Sequence, residues 1–289
     1  MNNKVYIHDK NLAYPNKEFV HMIKSEKYYD YTYDANFPYR LKGFKCMFIR
    51  FWIKVAMIIL VKPICAIRYA LKIKGKKNIK EYFKMTDTKG MISISNHTTE
   101  WDTIFVLLTR YFRFTEFPIW QEGAESKSGM LYREVGGIPM PVTSSHGMAY
   151  AYKAMRDVVK EGKWLHVFPE AACWAFYPAV RTFQNGTFKL AYELHKPILP
   201  MAVTYRAPKG IYKLFKKHPN ATITIGKPLI ANYDYDKKEA IDDLMARSRL
   251  SIMNLIGIKD EIENEEIRNS LKTYEAKKSE RNISFTFIF

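Results

Sequence analysis

MISISNHTTEWD, residues 91–102, is the stretch on which the fold turns. Isoleucine and serine alternate through its first five residues, the composition of a short strand. They run straight into Asn96, Thr98 and Thr99, small polar residues able to cap a helix that the spacing predicts over Trp101–Phe112. His97 therefore falls at a strand-to-helix junction, with Asp102 in the first helical turn. Within one continuous helix, residues five apart point about 140° away from each other. With His97 ahead of the helix, the carboxylate can instead reach back to one ring nitrogen. Such a contact fixes the tautomer, leaves the other nitrogen as a base and stabilises the imidazolium formed on proton transfer. A histidine held for structural reasons fits the same local pattern.

Working outward, short apolar runs alternate with amphipathic stretches. WLHVF (164–168), ILPMAVTY (198–205) and ATITIG (221–226) have strand composition, and helical spacing covers 146–161, 186–196 and 236–256. Met148, Tyr152, Met155 and Val159 make one apolar stripe, which is a core face. The alternation predicts an α/β fold, a mixed and mostly parallel sheet flanked by helices. A second junction lies in WLHVFPEAACWAF (164–176), where Pro169 stops a strand and Glu170 follows. Ligands of open α/β sheets collect beyond the carboxyl ends of strands, so His97 and Glu170 are expected at one crevice. A turn-capping carboxylate is the plainer reading of Glu170.

The 289 residues are 47% hydrophobic, which excludes wholesale disorder and a multi-spanning membrane bundle. Their 46 basic and 29 acidic side chains give a formal charge of +17, favouring anionic partners. Between Ala35 and Lys80 there are twelve Lys or Arg and no acid. FKCMFIRFWIKVAMIILVKPICAIRYALK, from Phe44 to Lys72, is strongly apolar, yet its longest charge-free run is Val55–Val61. That is far short of the roughly 20 residues a spanning helix needs. It reads as a helix lying in the membrane interface, with Arg50 and Lys54 on one face snorkelling to phosphates. Cys46, Cys65 and Cys173 form no metal-ligand pattern and read as reduced thiols in a cytosolic setting. The first residues contain no apolar run of the length a secretory signal requires. The expected organisation is a polar, irregular or weakly helical extension (1–44), a membrane-interface helical segment (45–75), a catalytic α/β domain (76–257) and a charged tail (258–289).

These segments together resemble the glycerolipid acyltransferase family, typified by bacterial 1-acylglycerol-3-phosphate acyltransferases, from about Ile73 to Pro228. Asn96, His97 and Asp102 meet the family's Asn-His-x4-Asp block, and Phe168, Pro169 and Glu170 begin its Phe-Pro-Glu-Gly-Thr-Arg block. GGIPMPV (136–142), FQNGTFKLA (183–191) and KPILPMAV (196–203) fall in the order of its remaining segments. The chain departs from the pattern where the family's two arginines hold the acceptor phosphate. Val142 and Cys173 stand in those places, and Ala171 replaces the glycine. Arg181 and Lys189 become the candidate phosphate donors.

The resemblance implies that His97, oriented by Asp102, takes the proton of an acceptor hydroxyl as it attacks an acyl thioester of coenzyme A or acyl carrier protein. No metal or redox cofactor is expected. Gly136 and Gly137 are candidate backbone donors to the oxyanion. The default acceptor is 1-acylglycerol-3-phosphate, giving phosphatidic acid; another lysolipid or a glycolipid hydroxyl is the alternative. Membrane lipids are expected partners, on the cytoplasmic face. Two readings from other classes stay open: a catalytically silent membrane adaptor, and a nucleic-acid binder. Against the latter, the positive cluster surrounds a nearly continuous apolar stretch rather than interleaving with aromatics.

Overall fold

The computed structural model describes residues 5–22, 26–110, 114–210, 213 and 218–276. Residues 111 and 112 of the first expected helix, 1–4 and 23–25 of the extension, and 277–289 of the tail lie outside them.

Seven strands form the main sheet: β2 (Lys72–Lys74), β3 (Met91–Ser95), β4 (Thr115–Trp120), β5 (Gly137–Met140), β6 (Trp164–Val167), β7 (Ile198–Arg206) and β8 (Asn220–Ile225), in the order β2-β8-β7-β3-β6-β4-β5. Neighbours run parallel except β7 and β8. This is the mixed, mostly parallel sheet expected. Its centre is β3, every residue of which is buried, because a parallel strand covered on both faces has no solvated side to give to polar residues. The serines are tolerated because they are bonded: Ser93 Oγ accepts from Trp164 Nε1 at 2.6 Å and meets His166 Nδ1 at 2.8 Å.

Helices α1 (Phe44–Ala56), α2 (Lys62–Tyr69), α3 (Lys77–Lys84), α4 (Asp102–Leu107), α5 (Gln121–Glu125), α6 (Gly129–Glu134), α7 (Ser145–Lys160) and α8 (Gly186–Glu193) are followed by helices Lys237–Ile256 and Glu261–Asn269. Ser144 caps α7 by accepting from the Gly147 N–H, and Asp236 caps the 237–256 helix by accepting from Glu239. The apolar stripe of α7 packs on the sheet, with Met148, Met155 and Val159 buried.

Two of the strands, β4 and β5, are not evident from composition. TEFPIW carries a glutamate and a proline, yet the glutamate is matched: Glu116, 2% exposed, takes the Arg40 guanidinium at 2.6 Å, and Arg40 also holds Glu161 at 2.7 Å. Arg40 belongs to the extension, which contains no helix among its described residues but is not peripheral. Tyr33 and Tyr39 join the main core. Strand β1 (Ala13–Pro15) pairs in parallel with β9 (Lys272–Tyr274), and Tyr14 packs with Trp174 and Tyr177. The expected catalytic-domain boundary at 76 also cuts off β2, which is part of the main sheet.

Helices α1 and α2 are joined through the π-helical turn Met57–Val61, and Pro63 sits at the start of α2. No helix among the described residues is long and apolar enough to cross a membrane. The orientation of α1 reverses the one expected. Arg50 points into the protein, donating to the Glu134 carbonyl at 3.0 Å and facing Glu116 at 3.5 Å, and Lys54 lies over the Phe114 ring. Neither snorkels to phosphates, because the acid and the carbonyl arriving from later segments claim that face. Phe44, Met47, Phe48, Phe51 and Trp52 face solvent instead, Trp52 with 54% of its surface exposed.

Candidate active site

Three loops meet beyond the carboxyl ends of β3 and β6. Asn96, the first residue after β3, is a clip: its Nδ2 donates to the Val203 carbonyl at 2.9 Å and its Oδ1 accepts from the Val203 N–H at 2.8 Å. It caps no helix; it extends the ladder to β7 by one side chain and fixes where His97 leaves the sheet. Asp102 is fully buried and reaches back, as expected. Its Oδ2 meets His97 Nδ1 at 3.1 Å and accepts the Thr98 and Thr99 N–H groups, the latter at 2.8 Å, while Oδ1 accepts from Thr99 Oγ1 at 3.0 Å. Donors from its own loop replace a conventional cap and fix the carboxylate beside the ring. The other histidine nitrogen, Nε2, is left for chemistry.

His97 has a 15% exposed side chain, stacked on Phe168 with ring centroids 4.0 Å apart. Burial pushes its pKa down, but the neighbouring Cys173 and the Asp102 carboxylate, to which Nδ1 donates, raise it above its ordinary value. Beneath Phe168, His166 is 1% exposed and bonded to Ser93 and Ser95. Burial first, and the charge of His97 second, hold its pKa at about 3. A neutral imidazole of this kind takes up a proton only on unfolding, so the unfolded chain binds more protons between pH 3 and its ordinary value of 6.5. The stability it contributes is complete above pH 6.5 and falls as pH is lowered toward 3. Thermal melts from pH 7 to pH 4 should show a declining Tm whose slope is shallower in His166→Gln; equal slopes would contradict this role.

Glu170 lies at the crevice, but 1% exposed and turned inward. It accepts from the His97 N–H at 3.3 Å and the Arg181 N–H at 3.2 Å, and it pairs with the Arg181 guanidinium at 2.7 Å. Arg181 is completely buried, donating also to the Glu18 carbonyl at 3.0 Å and the Ala172 carbonyl. The expectation that Arg181 holds substrate phosphate is therefore corrected: its two terminal nitrogens tie the 170–181 loop to itself and to the Glu18 carbonyl, and Glu170 is a scaffold rather than a substrate contact. Lys189, on α8, lies over the Tyr152 ring at 6.0 Å and does not line the cavity. Gly136 and Gly137 also stand away from His97, at the start of edge strand β5, three strands from β3. Gly136 adopts φ 112° and its N–H donates to the Arg133 carbonyl; a Cβ there would fall 2.6 Å from the Thr115 carbonyl. Close approach explains that glycine, and neither is an oxyanion donor.

A cavity of about 470 Å³ opens at His97. Ile53, Met57 and Val61 from the α1–π stretch line it together with Ile104, Trp120 and Met140, and Glu100 is the one carboxylate among its described lining residues. Val142 and Cys173 both face this space, and no Lys or Arg is among its described lining residues. His21, from the extension, was not anticipated by sequence. It lines the same cavity, stacks on Trp120 at 4.9 Å and accepts from the Cys173 N–H on Nδ1 at 3.4 Å, while Nε2 is buried with no hydrogen-bond partner among the described residues. Burial, with the charges of His97 and Arg181, lowers its pKa to about 3 against the opposing Ala171 carbonyl. Nothing local marks His21 in the sequence, since 76 residues separate it from His97.

A buried-carboxylate–histidine pair at the end of an apolar cavity is the equipment of a transferase for an apolar group. Residues 70–204 match the family model described as Acyltransferase, and that match supports an acyltransferase activity for the domain they form. No curated protein matches it. Among solved structures it is similar to the crystal structure of the 1-acyl-sn-glycerophosphate (LPA) acyltransferase, PlsC, from Thermotoga maritima. That match has 14% identity, covers 71% of this chain and 93% of that one, and has a TM-score of 0.40, a likeness too loose to carry residue correspondences.

Proposed function

We propose that the protein moves a fatty acyl group from an acyl thioester, acyl-CoA or acyl-ACP, to the hydroxyl of a lysophospholipid-type acceptor at a membrane surface. The observation that carries this is the placement of the His97–Asp102 pair at an apolar cavity of about 470 Å³. An alcohol is a poor nucleophile until its proton is being removed, and His97 is the group placed to remove it. The apolar lining suits the acyl chain, and the absence of Lys and Arg among its described lining residues favours a hydroxyl whose head group lies outside it. 1-Acylglycerol-3-phosphate remains the default acceptor; the lack of cationic lining residues favours a less charged lysolipid or glycolipid over it. Offering radiolabelled palmitoyl-CoA with a panel of lysolipids to the wild type and to His97→Ala tests both levels. Transfer to no lysolipid, or equal transfer by the variant, would sink the proposal.

The membrane part rests on α1. Its outward row of Phe48, Phe51 and Trp52 backs directly onto cavity residues Ile53 and Met57, so lipid taken from an interface has an apolar path to His97. Burying one large apolar side chain contributes about 1.5–3 kcal/mol. Replacing Phe48, Phe51 and Trp52 together by serine should cut binding to anionic vesicles by at least tenfold in flotation, with water-soluble donor hydrolysis retained. Unchanged flotation would remove α1 as the anchor. The three reduced thiols support placing this surface on the cytoplasmic face.

A further inference from the structure

Tyr205 does not line the cavity, yet its hydroxyl ends in the loop that carries His97. The strand arrangement puts it there. Val203 on β7 is held by both arms of the Asn96 amide, so the register between β7 and the start of the histidine loop is fixed at that residue. Two residues further along a strand, the side chain leaves the same face of the sheet. That residue is Tyr205, whose hydroxyl meets Thr98 Oγ1 at 2.8 Å and lies 3.5 Å from Thr99 Oγ1. Phe176 closes the other side. Its ring stands edge-on to Tyr205 with centroids 5.0 Å apart, and its N–H donates to the Thr98 carbonyl at 2.9 Å.

The direction of these bonds follows from what they end on. Asp102 accepts from Thr98 Oγ1 at 3.3 Å and from Thr99 Oγ1 at 3.0 Å, which commits the hydrogen of each threonine hydroxyl to the carboxylate. The Thr98 oxygen is then left to accept, so the 2.8 Å bond has the tyrosine as its donor. Burial raises the Tyr205 pKa well above that of an ordinary phenol, and the Asp102 charge adds to it, which keeps that hydrogen in place. A chain of donors therefore runs from Tyr205 through Thr98 to Asp102, and Asp102 meets His97 Nδ1. Inside a protein such bonds polarise one another, so a donor at the far end strengthens the bond that Thr98 makes to the carboxylate.

Resting on the acyl-transfer reading above, we propose that Tyr205 is a positioning residue for this reaction: its phenol, acting through Thr98, draws on the Asp102 carboxylate and so limits how tightly that carboxylate holds a proton on His97. The carboxylate has two duties that pull against each other. It stabilises the imidazolium once the acceptor hydroxyl has given up its proton, yet it must leave the resting imidazole free to accept one. Every donor aimed at Asp102 spreads its charge and weakens its hold on the ring. The other charged and titratable groups around His97 do not supply this moderation. From the 170–181 loop come Glu170, which accepts the His97 N–H, and Cys173, which raises the His97 pKa. Arg181 on the same loop is engaged with Glu170. His166 on β6 and His21 from the extension are kept neutral by burial. Among the described residues, Tyr205 is the one outside the histidine loop whose side chain is hydrogen-bonded to the hydroxyl donors of Asp102.

Tyr205→Phe keeps the ring against Phe176 and removes only the hydroxyl. Single-turnover transfer from radiolabelled palmitoyl-CoA to a lysolipid should fall about tenfold at pH 7 and return to within about twofold of wild type at pH 9, because the acid limb of the pH–rate profile moves up by about one unit. The KM of the acyl donor should not change. Fluorotyrosine placed at Tyr205 is the opposite arm: its phenol is the stronger donor, and the limb should move down. Nitrogen-15 spectra of the full chain labelled in histidine, with His97→Ala identifying the signal, follow the same titration without any substrate. A loss spread evenly over pH, a limb that stays in place, or a shift in the same direction for both replacements overturns the proposal. Should Tyr205→Phe fail to fold, the fluorotyrosine arm decides alone. If no lysolipid is acylated but the His97 signal moves as stated, the coupling stands and the acyl-transfer reading falls. If His97→Ala is inactive while neither limb nor signal moves, that reading stands and the role given to Tyr205 falls.

Discussion

His97→Ala should lower kcat for acyl transfer by about 10²- to 10⁴-fold, the range a positioned base contributes, with little change in the KM of the acyl donor. In the proposed reaction the donor's chain lies along the apolar walls of the cavity, which the substitution does not touch, whereas the proton has no other acceptor at that position among the described residues. His166 does not substitute, being saturated by Ser93 and Ser95 and screened by Phe168. His21 does not either, since burial and neighbouring positive charge keep it from accepting a proton. Asp102→Asn should fall in the same direction, because an amide oriented by the Thr98 and Thr99 N–H groups cannot stabilise the imidazolium. Single-turnover rates with matched circular dichroism measure both. A His97→Ala enzyme within tenfold of wild type would mean that the base lies elsewhere.

Arg181→Met should cost about 3–5 kcal/mol of stability, the loss expected when one partner of a buried ion pair is removed and the other charge is left without compensation. For a domain of this size that corresponds to roughly 10 °C in Tm. Methionine fills much of the guanidinium's space, so the cost reports charge and hydrogen bonding rather than a void. The double variant Glu170→Gln/Arg181→Met removes the stranded carboxylate and should recover a good part of the loss. Arg181→Lys should likewise destabilise while leaving the acceptor KM of the folded fraction unchanged, since the side chain touches no cavity. Two results would count against this reading: an Arg181→Met protein melting within 2 °C of wild type, or an Arg181→Lys defect confined to acceptor KM.

These two residues also show what a sequence discloses. The strand–His97–turn–Asp102 unit is encoded within twelve residues, and its alternation, its polar junction and the return of the carboxylate are all local, so β3 and the pair could be read directly. Arg181 could be recognised as a conspicuous cation but not as a buried one, because its burial depends on Glu170 and on the Glu18 carbonyl, 163 residues away. The same holds for α1. Its helical spacing is legible, but which side faces inward is decided by Glu116 and the Glu134 carbonyl, both contributed by later segments. A glutamate inside TEFPIW was the available signal, since an acid in a buried strand demands a cation. His21 carried no signal at all, and Cys173 showed only as a departure from a family pattern.

The pairing of β1 with β9 has a consequence for how the protein is made. Residues 13–15 emerge from the ribosome first and wait for residues 272–274, and only then is Tyr14 braced where it supports Trp174, whose N–H holds the His97 loop. A nascent chain can complete its central sheet before residues 272–274 exist, yet the brace on Trp174, and through it on the His97 loop, is added only once they have been made.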